Sequence, residues 1–211
     1  MRKLLIIAGA AIFMTVLTPT QVQAQKYLGQ TVVGTNAGFS LVGALLTTTF
    51  NAADRVVGLN ASVTPGISST VDVGLAPRFS IGGAYFFQSA KAEWSQYTDT
   101  AGFVQTGDYN LRLTRHNFGI RALFHFGDND DFDPYFGLRL GMSRWTYKTN
   151  VPGADIVELF DPRVFRNRVL PQALFGVRYF FLPFLGVNAE MAIGFPYYLS
   201  AGINFRFGGL Q

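Results

Sequence analysis

The stretch GVNAEMAIGFPYYLSAGINFRF, Gly186 to Phe207, decides the fold. It reads as two alternating strands joined at Phe195-Pro196. On the first, Val187, Ala189, Met191, Ile193 and Phe195 share one face, and Asn188, Glu190 and Gly194 share the other. On the second, Leu199, Ala201, Ile203, Phe205 and Phe207 oppose Ser200, Gly202, Asn204 and Arg206. A period of two marks a strand whose two faces meet different surroundings. A soluble sandwich and a barrel in a membrane both produce it, so the rest of the chain decides.

Working outward, the same alternation returns along the 211 residues. It predicts strands near Asn36–Leu46, Ile67–Ala76, Phe79–Gln88 (extending into Lys91–Trp94), Asn117–Phe126, Phe136–Ser143 and Pro171–Phe181. With the final pair that makes about eight, each near the 9–11 residues of a tilted spanning strand. Tight turns are expected at Ala76-Pro77-Arg78 and Leu182–Leu185, where proline suits a turn, and a short acidic one at Gly127–Asp133. Longer connections are expected at Thr47–Thr64, Ser95–Asp108 and Lys148–Arg168. Short turns at one end and long loops at the other are the topology of outer-membrane barrels. The short seventh connection, Phe195–Tyr197, departs from it.

Composition agrees. Hydrophobic residues are 49% and charged residues 14%, with 21 Phe, 9 Tyr and 23 Gly; soluble domains carry about 25% charge. After the N-terminus no apolar run approaches the roughly 20 residues of a spanning helix. Strands in lipid show this combination, because lipid-facing and interior residues alternate. Cysteine is absent, which excludes disulfides and thiolate metal sites. The net charge of +4 and pI near 9.5 do not indicate nucleic-acid binding, since the basic residues are scattered singly along the sequence.

At the start, Arg2 and Lys3 precede an apolar run from Leu4 to Leu17, and Val22-Gln23-Ala24 supplies the compact cleavage positions. These are the parts of a secretory signal peptide over residues 1–24, leaving a barrel domain over 25–211.

The charges separate the two strand environments. The apolar faces carry no Asp, Glu, Lys or Arg, whereas the opposite faces carry Asp72, Arg121, Arg139, Arg178, Glu190 and Arg206 among Gly and Ser. A soluble barrel would reverse this, with apolar residues inside. A closed barrel in lipid requires an uncharged outer band, because a charge at the midplane costs about 2–4 kcal/mol. Aromatic residues gather at strand ends, where interfacial girdles lie. The fold is therefore expected to be all-β, a transmembrane antiparallel up-and-down β-barrel. Such a lumen is narrow enough for side chains to fill, so the six charges are expected to form a network that plugs it, with a narrow pore as the alternative.

On these residues the chain resembles the small outer-membrane β-barrel family of Gram-negative bacteria, which includes the OmpA transmembrane domain, OmpX and the "porin family" barrels. The resemblance implies a cell-envelope protein surrounded by outer-membrane lipid and handled by the barrel-insertion machinery. Family members end on a terminal aromatic; here Phe205-Arg206-Phe207 is followed by Gly208-Gly209-Leu210-Gln211. No second domain follows, so peptidoglycan binding of the OmpA kind is not implied.

Other chemistry is weakly marked. Asp128, Asn129, Asp130, Asp131 and Asp133 offer oxygen ligands without the glycine and distal glutamate of an EF-hand, and read as a solvated turn. His116 is expected outside near the loop end and His125 inside. The residue two after His116 is Phe118, so the rim His/Ser pair of lipid deacylases is missing, and no nucleophile, Walker or paired-carboxylate motif stands out. No cofactor, metal, nucleic acid or catalytic residue is expected. The expected role of this monomer is structural or recognitive, with a small pore second and a lipid-modifying enzyme third. Loops around Asn51–Arg55, Trp94–Asp108 and Tyr147–Arg168 would meet an extracellular partner.

Overall fold

The computed structural model describes residues 27–40, 56–98, 102–127, 129–151, 168–194 and 199–208. The expected signal peptide, the Asn51–Arg55 loop, most of the connection after Lys148 and the Phe195–Tyr197 corner lie outside them.

The described residues form ten strands: β1 (Thr31–Phe39), β2 (Val56–Val57), β3 (Asn60–Val63), β4 (Gly66–Ala76), β5 (Phe79–Thr98), β6 (Val104–His125), β7 (Phe132–Thr149), β8 (Arg168–Leu182), β9 (Leu185–Ile193) and β10 (Leu199–Phe207). Eight of them form an antiparallel up-and-down ring. Each pairs with its neighbour in sequence, and β1 closes on β10 from Thr31↔Phe207 to Phe39↔Leu199. Closure leaves no ring strand with an open edge, which a sheet in hydrocarbon cannot tolerate. β2 and β3 pair with the far part of β5, continuing the line of β4 beyond the ring. The turns at Pro77-Arg78 and Pro183-Phe184, the connection from β6 to β7 and both described chain ends share one end, here the turn end.

Outward positions of the ring are apolar and exposed: Val71 at 45%, Ile120 at 63%, Leu138 at 63%, Val187 at 44%. Among the described residues, the outward rows Thr31–Phe39, Ile67–Leu75, Phe79–Phe87, Phe118–Phe126, Phe132–Met142, Val169–Phe181, Leu185–Ile193 and Leu199–Phe207 hold no Asp, Glu, Lys or Arg. About ten residues tilted by roughly 40° span a band of about 25 Å, the height of a lipid-facing belt. Phe126, Phe132, Tyr179, Phe181, Phe184 and Phe207 ring it at the turn end.

Four strands exceed the expected length. β5 has 20 residues, β6 22, β7 18 and β8 15. The expected Ser95–Asp108 connection is therefore mostly strand, paired through Trp94↔Tyr109 and Gln96↔Thr106. The reason is a reversal of polarity. Beyond Phe87, Phe118 and Met142 the outward residues become Lys91, Arg112, Arg144 and Lys148, while inward positions become Ala90, Ala92, Trp94, Leu111 and Leu113. These inward residues pack with Val151 and draw in Val56, Leu59, Ala61, Val63 and Trp145. Beyond the apolar outer band the outer face is polar and the inner face supplies its own apolar core, as in a soluble sheet. A rule with apolar residues always outside could not locate this extension. β1 also starts earlier than expected, at Thr31, and the expected Leu41–Leu46 portion lies outside the described residues.

Candidate functional site

The lumen is built from large side chains laid over glycines. Asp72, Gly82, Arg121 and Arg139 occupy one register row across β4, β5, β6 and β7. Arg121 crosses Gly82 to reach Asp72, with Nε 3.0 Å from Oδ1. A Cβ at Gly82 would collide with the Asp72 carboxylate. In a second row, Tyr135, Gly176 and Glu190 lie on β7, β8 and β9. The Tyr135 ring covers Gly176, and its hydroxyl donates to Glu190 Oε2 at 2.7 Å. Arg121 Nη2 donates to that oxygen at 2.8 Å, joining the rows. Arg178 completes the lattice through Asp72 Oδ2, and its guanidinium lies 4.7 Å from the Tyr135 ring centroid. Arg121, Asp72 and Glu190 side chains are 1% exposed. At that burial each charge depends on its partners, because an unpaired ion out of water is costly.

Toward the turn end, Asp133 brings the lattice to His125 and Tyr27. Asp133 Oδ2 is 3.7 Å from Arg178 Nη1, and Oδ1 is 2.8 Å from His125 Nδ1. His125 Nε2 is 2.9 Å from Ser80 Oγ. Asp133 was expected in a solvated acidic turn; it is instead the second residue of β7, facing inward and 2% exposed. Ser80, His125 and Asp133 follow the hydrogen-bond order of an acyl-transfer triad, an arrangement the sequence did not suggest. The serine hydroxyl is enclosed. Ser80 is 3% exposed, sits within the β4–β5–β6 ladder opposite Gly74 and Leu123, and its partner His125 is covered by the Tyr27 ring.

Tyr27 caps this cluster at the turn end. Residues 27–30 fold across the end of β4 through Gly29 N to Gly74 O (3.0 Å) and Gly74 N to Gln30 O (2.8 Å). Gly29 takes φ 73°, which glycine adopts without strain. The segment places the Tyr27 ring 4.1 Å from the His125 ring, stacked at 19°. Burial, with the Asp133 carboxylate beside it, holds the Tyr27 phenol well above its ordinary pKa.

Toward the loop end the described lumenal residues named here are neutral or cationic. Arg139 Nη2 donates to Asn117 Oδ1 at 2.5 Å, Asn117 Nδ2 to Ser143 Oγ at 2.9 Å, and Arg115 Nη2 to Ser143 Oγ at 3.1 Å. The Arg115 guanidinium also lies 5.1 Å from the Trp145 ring and 5.7 Å from Phe86. Phe86, Leu123, Leu174 and Ala192 are inward and wholly buried, so the interior is polar only in part.

Of the six expected lumen charges, the structure joins Asp72, Arg121, Arg178 and Glu190 directly. Arg139 is inside but turns to Asn117. Arg206 does not enter the lattice: it lies over Phe180 at 4.2 Å and donates to Pro183 O and Asp130 O, tying two turns together. It sits one residue from the end of β10, below the level at which an inward side chain is enclosed. Arg115, Tyr135, Asp133, His125 and Tyr27 belong to the lumen system and were not singled out as its charges. Arg115 shares inward parity with Asn117 and Arg121, a signal present in the sequence once β6 is extended. His116 faces outward as expected, its Nδ1 2.8 Å from Tyr85 Oη.

No protein-family model and no curated protein matches the chain. Among solved structures it is similar to a de novo designed transmembrane β-barrel (12% identity, 87% of this chain and 99% of that one, TM-score 0.45). It is also similar to the N-terminal β-barrel domain of Pseudomonas aeruginosa OprF (13%, 85% and 98%, 0.45). A third is the outer membrane protein OprG of the same organism (8%, 86% and 97%, 0.46). At these identities no residue role can be carried across.

Proposed function

We propose that this chain is an exported outer-membrane barrel, closed along its axis, whose working surface is the sheet extension at the loop end. Residues 1–24 direct export and are removed, residues 25–211 insert as a monomer by way of the barrel-insertion machinery, and the turn end faces the periplasm. The observation that carries closure is the Asp72–Arg121–Glu190–Tyr135 lattice, drawn from strands on opposite sides of the ring and shielded from water. The Tyr27 stopper beneath it supports the same reading. A filled lumen makes the barrel a rigid stand, and β5, β6 and β7 raise a folded surface well beyond the lipid belt. Rigid scaffolds that project surfaces are suited to recognition.

The test is conductance of the mature chain, refolded into a planar bilayer after gel heat-modifiability has established a closed barrel. The expected record is silent. Discrete, reproducible steps would instead assign a water-filled path past the arginines and make solute passage the function.

A further inference from the structure

The basic residues scattered along the sequence are gathered by the register of the extension. Lys91, Arg112 and Lys148 are direct cross-strand neighbours on β5, β6 and β7. All three face outward, on the same parity as Phe87, Phe118 and Met142 lower on those strands. Side chains so placed have Cβ atoms about 5 Å apart, and like charges there repel. Arg112, exposed with a lysine on each side, offers an anion a three-pronged cationic face, although Lys91 is also paired with Glu93.

Height says where that anion comes from. Climbing the outer face in register, the rows read Tyr85–Phe118–Met142, then Phe87–His116–Arg144, then Ser89–Thr114–Thr146, then the three cations. Lipid-facing residues therefore give way to an aromatic and basic row, then to hydroxyls, then to charge, over six residues of strand. Rows two residues apart are separated by roughly 6.6 Å along the strand. Long Lys and Arg side chains can reach back down toward the belt.

We propose that Lys91, Arg112 and Lys148, with Arg144 below them, bind the phosphate groups of lipid heads in the leaflet at the loop end. The site rests on the reading of the belt as lipid-facing and adds a lipid class to it: anionic, phosphate-bearing heads in preference to zwitterionic ones. Glu93, paired with Lys91 on the same face, competes with the phosphate.

The test is native mass spectrometry of the mature chain refolded with phosphatidylcholine containing a minor fraction of phosphatidylglycerol. Each basic residue near an anionic surface contributes about a fivefold preference, so the wild type should retain phosphatidylglycerol by on the order of a hundredfold at low salt, falling as salt rises. The triple variant K91Q/R112Q/K148Q should lose most of that preference, and Glu93→Gln should raise it. Glu93→Gln decides the matter if the triple variant does not fold. Equal retention by wild type and the folded variants overturns the proposal. So does displacement of the lipid by inorganic phosphate, which would mean a free-ion site. Failure of the wild type to become heat-modifiable in phosphatidylcholine alone would overturn the membrane reading itself.

Discussion

Arg121 and Arg139 stand directly opposite each other on β6 and β7, yet their guanidinium groups part company. Arg121 turns over Gly82 to Asp72 and Glu190, while Arg139 turns to Asn117. Two like charges in one register row are tolerated because each leans away over small neighbours toward a different partner. A Cβ at Gly119 would lie 2.8 Å from Arg139 Nε. The glycines between the lumenal arginines are thus the floor on which the arginines lie.

Removing one carboxylate from this lattice leaves its buried donors short of acceptors. Glu190→Ala takes from Arg121 one of the two carboxylates it reaches, Asp72 remaining, and takes the acceptor from Tyr135; it is expected to destabilise the barrel by about 3–5 kcal/mol. Urea unfolding of the refolded protein measures it. A loss below about 1 kcal/mol would place water around the pair.

Gly176 tests the second row. A Cβ there meets the Tyr135 ring, so Gly176→Ala should cost about 1–3 kcal/mol through overpacking. In a Tyr135→Leu background the same change should cost less, by at least about 0.5 kcal/mol. Identical costs in the two backgrounds, again by urea unfolding, would mean that the ring does not lie over Gly176.

The ring was legible because its faces are sharply unlike. Val187, Ala189 and Met191 against Asn188 and Glu190 could only belong to a strand with two environments, and every ring strand repeats the contrast. What could not be read were pairings across the lumen. Arg121 and Glu190 are 69 positions apart, and nothing in their neighbours names either as the other's partner. The extension was missed for a different reason. Leu111 and Leu113 alternate with Arg112 and Thr114 as regularly as the lower strands do, but with the faces exchanged. Without knowing where the apolar outer band ends, polar outward residues look like a loop.

The extension should melt apart from the ring. Its cluster of Trp94, Leu111, Leu113 and Val151 packs among itself beyond the apolar outer band, so Leu113→Ala is expected to loosen β2, β3 and the far halves of β5 and β6. Limited proteolysis should nick the variant there while the remaining barrel stays heat-modifiable. Loss of heat-modifiability in step with the nicking would show instead that ring and extension unfold together.

Tyr27 gives the stopper a pH signature. Its phenol is held above the ordinary value by burial and then by Asp133, so the folded chain keeps a proton that the unfolded chain releases near pH 10. Between those two pKa values the native state binds more protons, and stability therefore falls as pH rises above about 10. The contribution is fully present below that pH. Tyr27→Phe keeps the ring stacked on His125 but has no proton to lose, so its urea midpoint should decline less steeply than wild type through the alkaline range. Tyr27→Ala removes the ring as well and should weaken the closure of the turn end, admitting a small polar quencher to the lumen base that wild type excludes. Parallel alkaline slopes for wild type and Tyr27→Phe would mean that the phenol is open to water and that something other than Tyr27 closes this end.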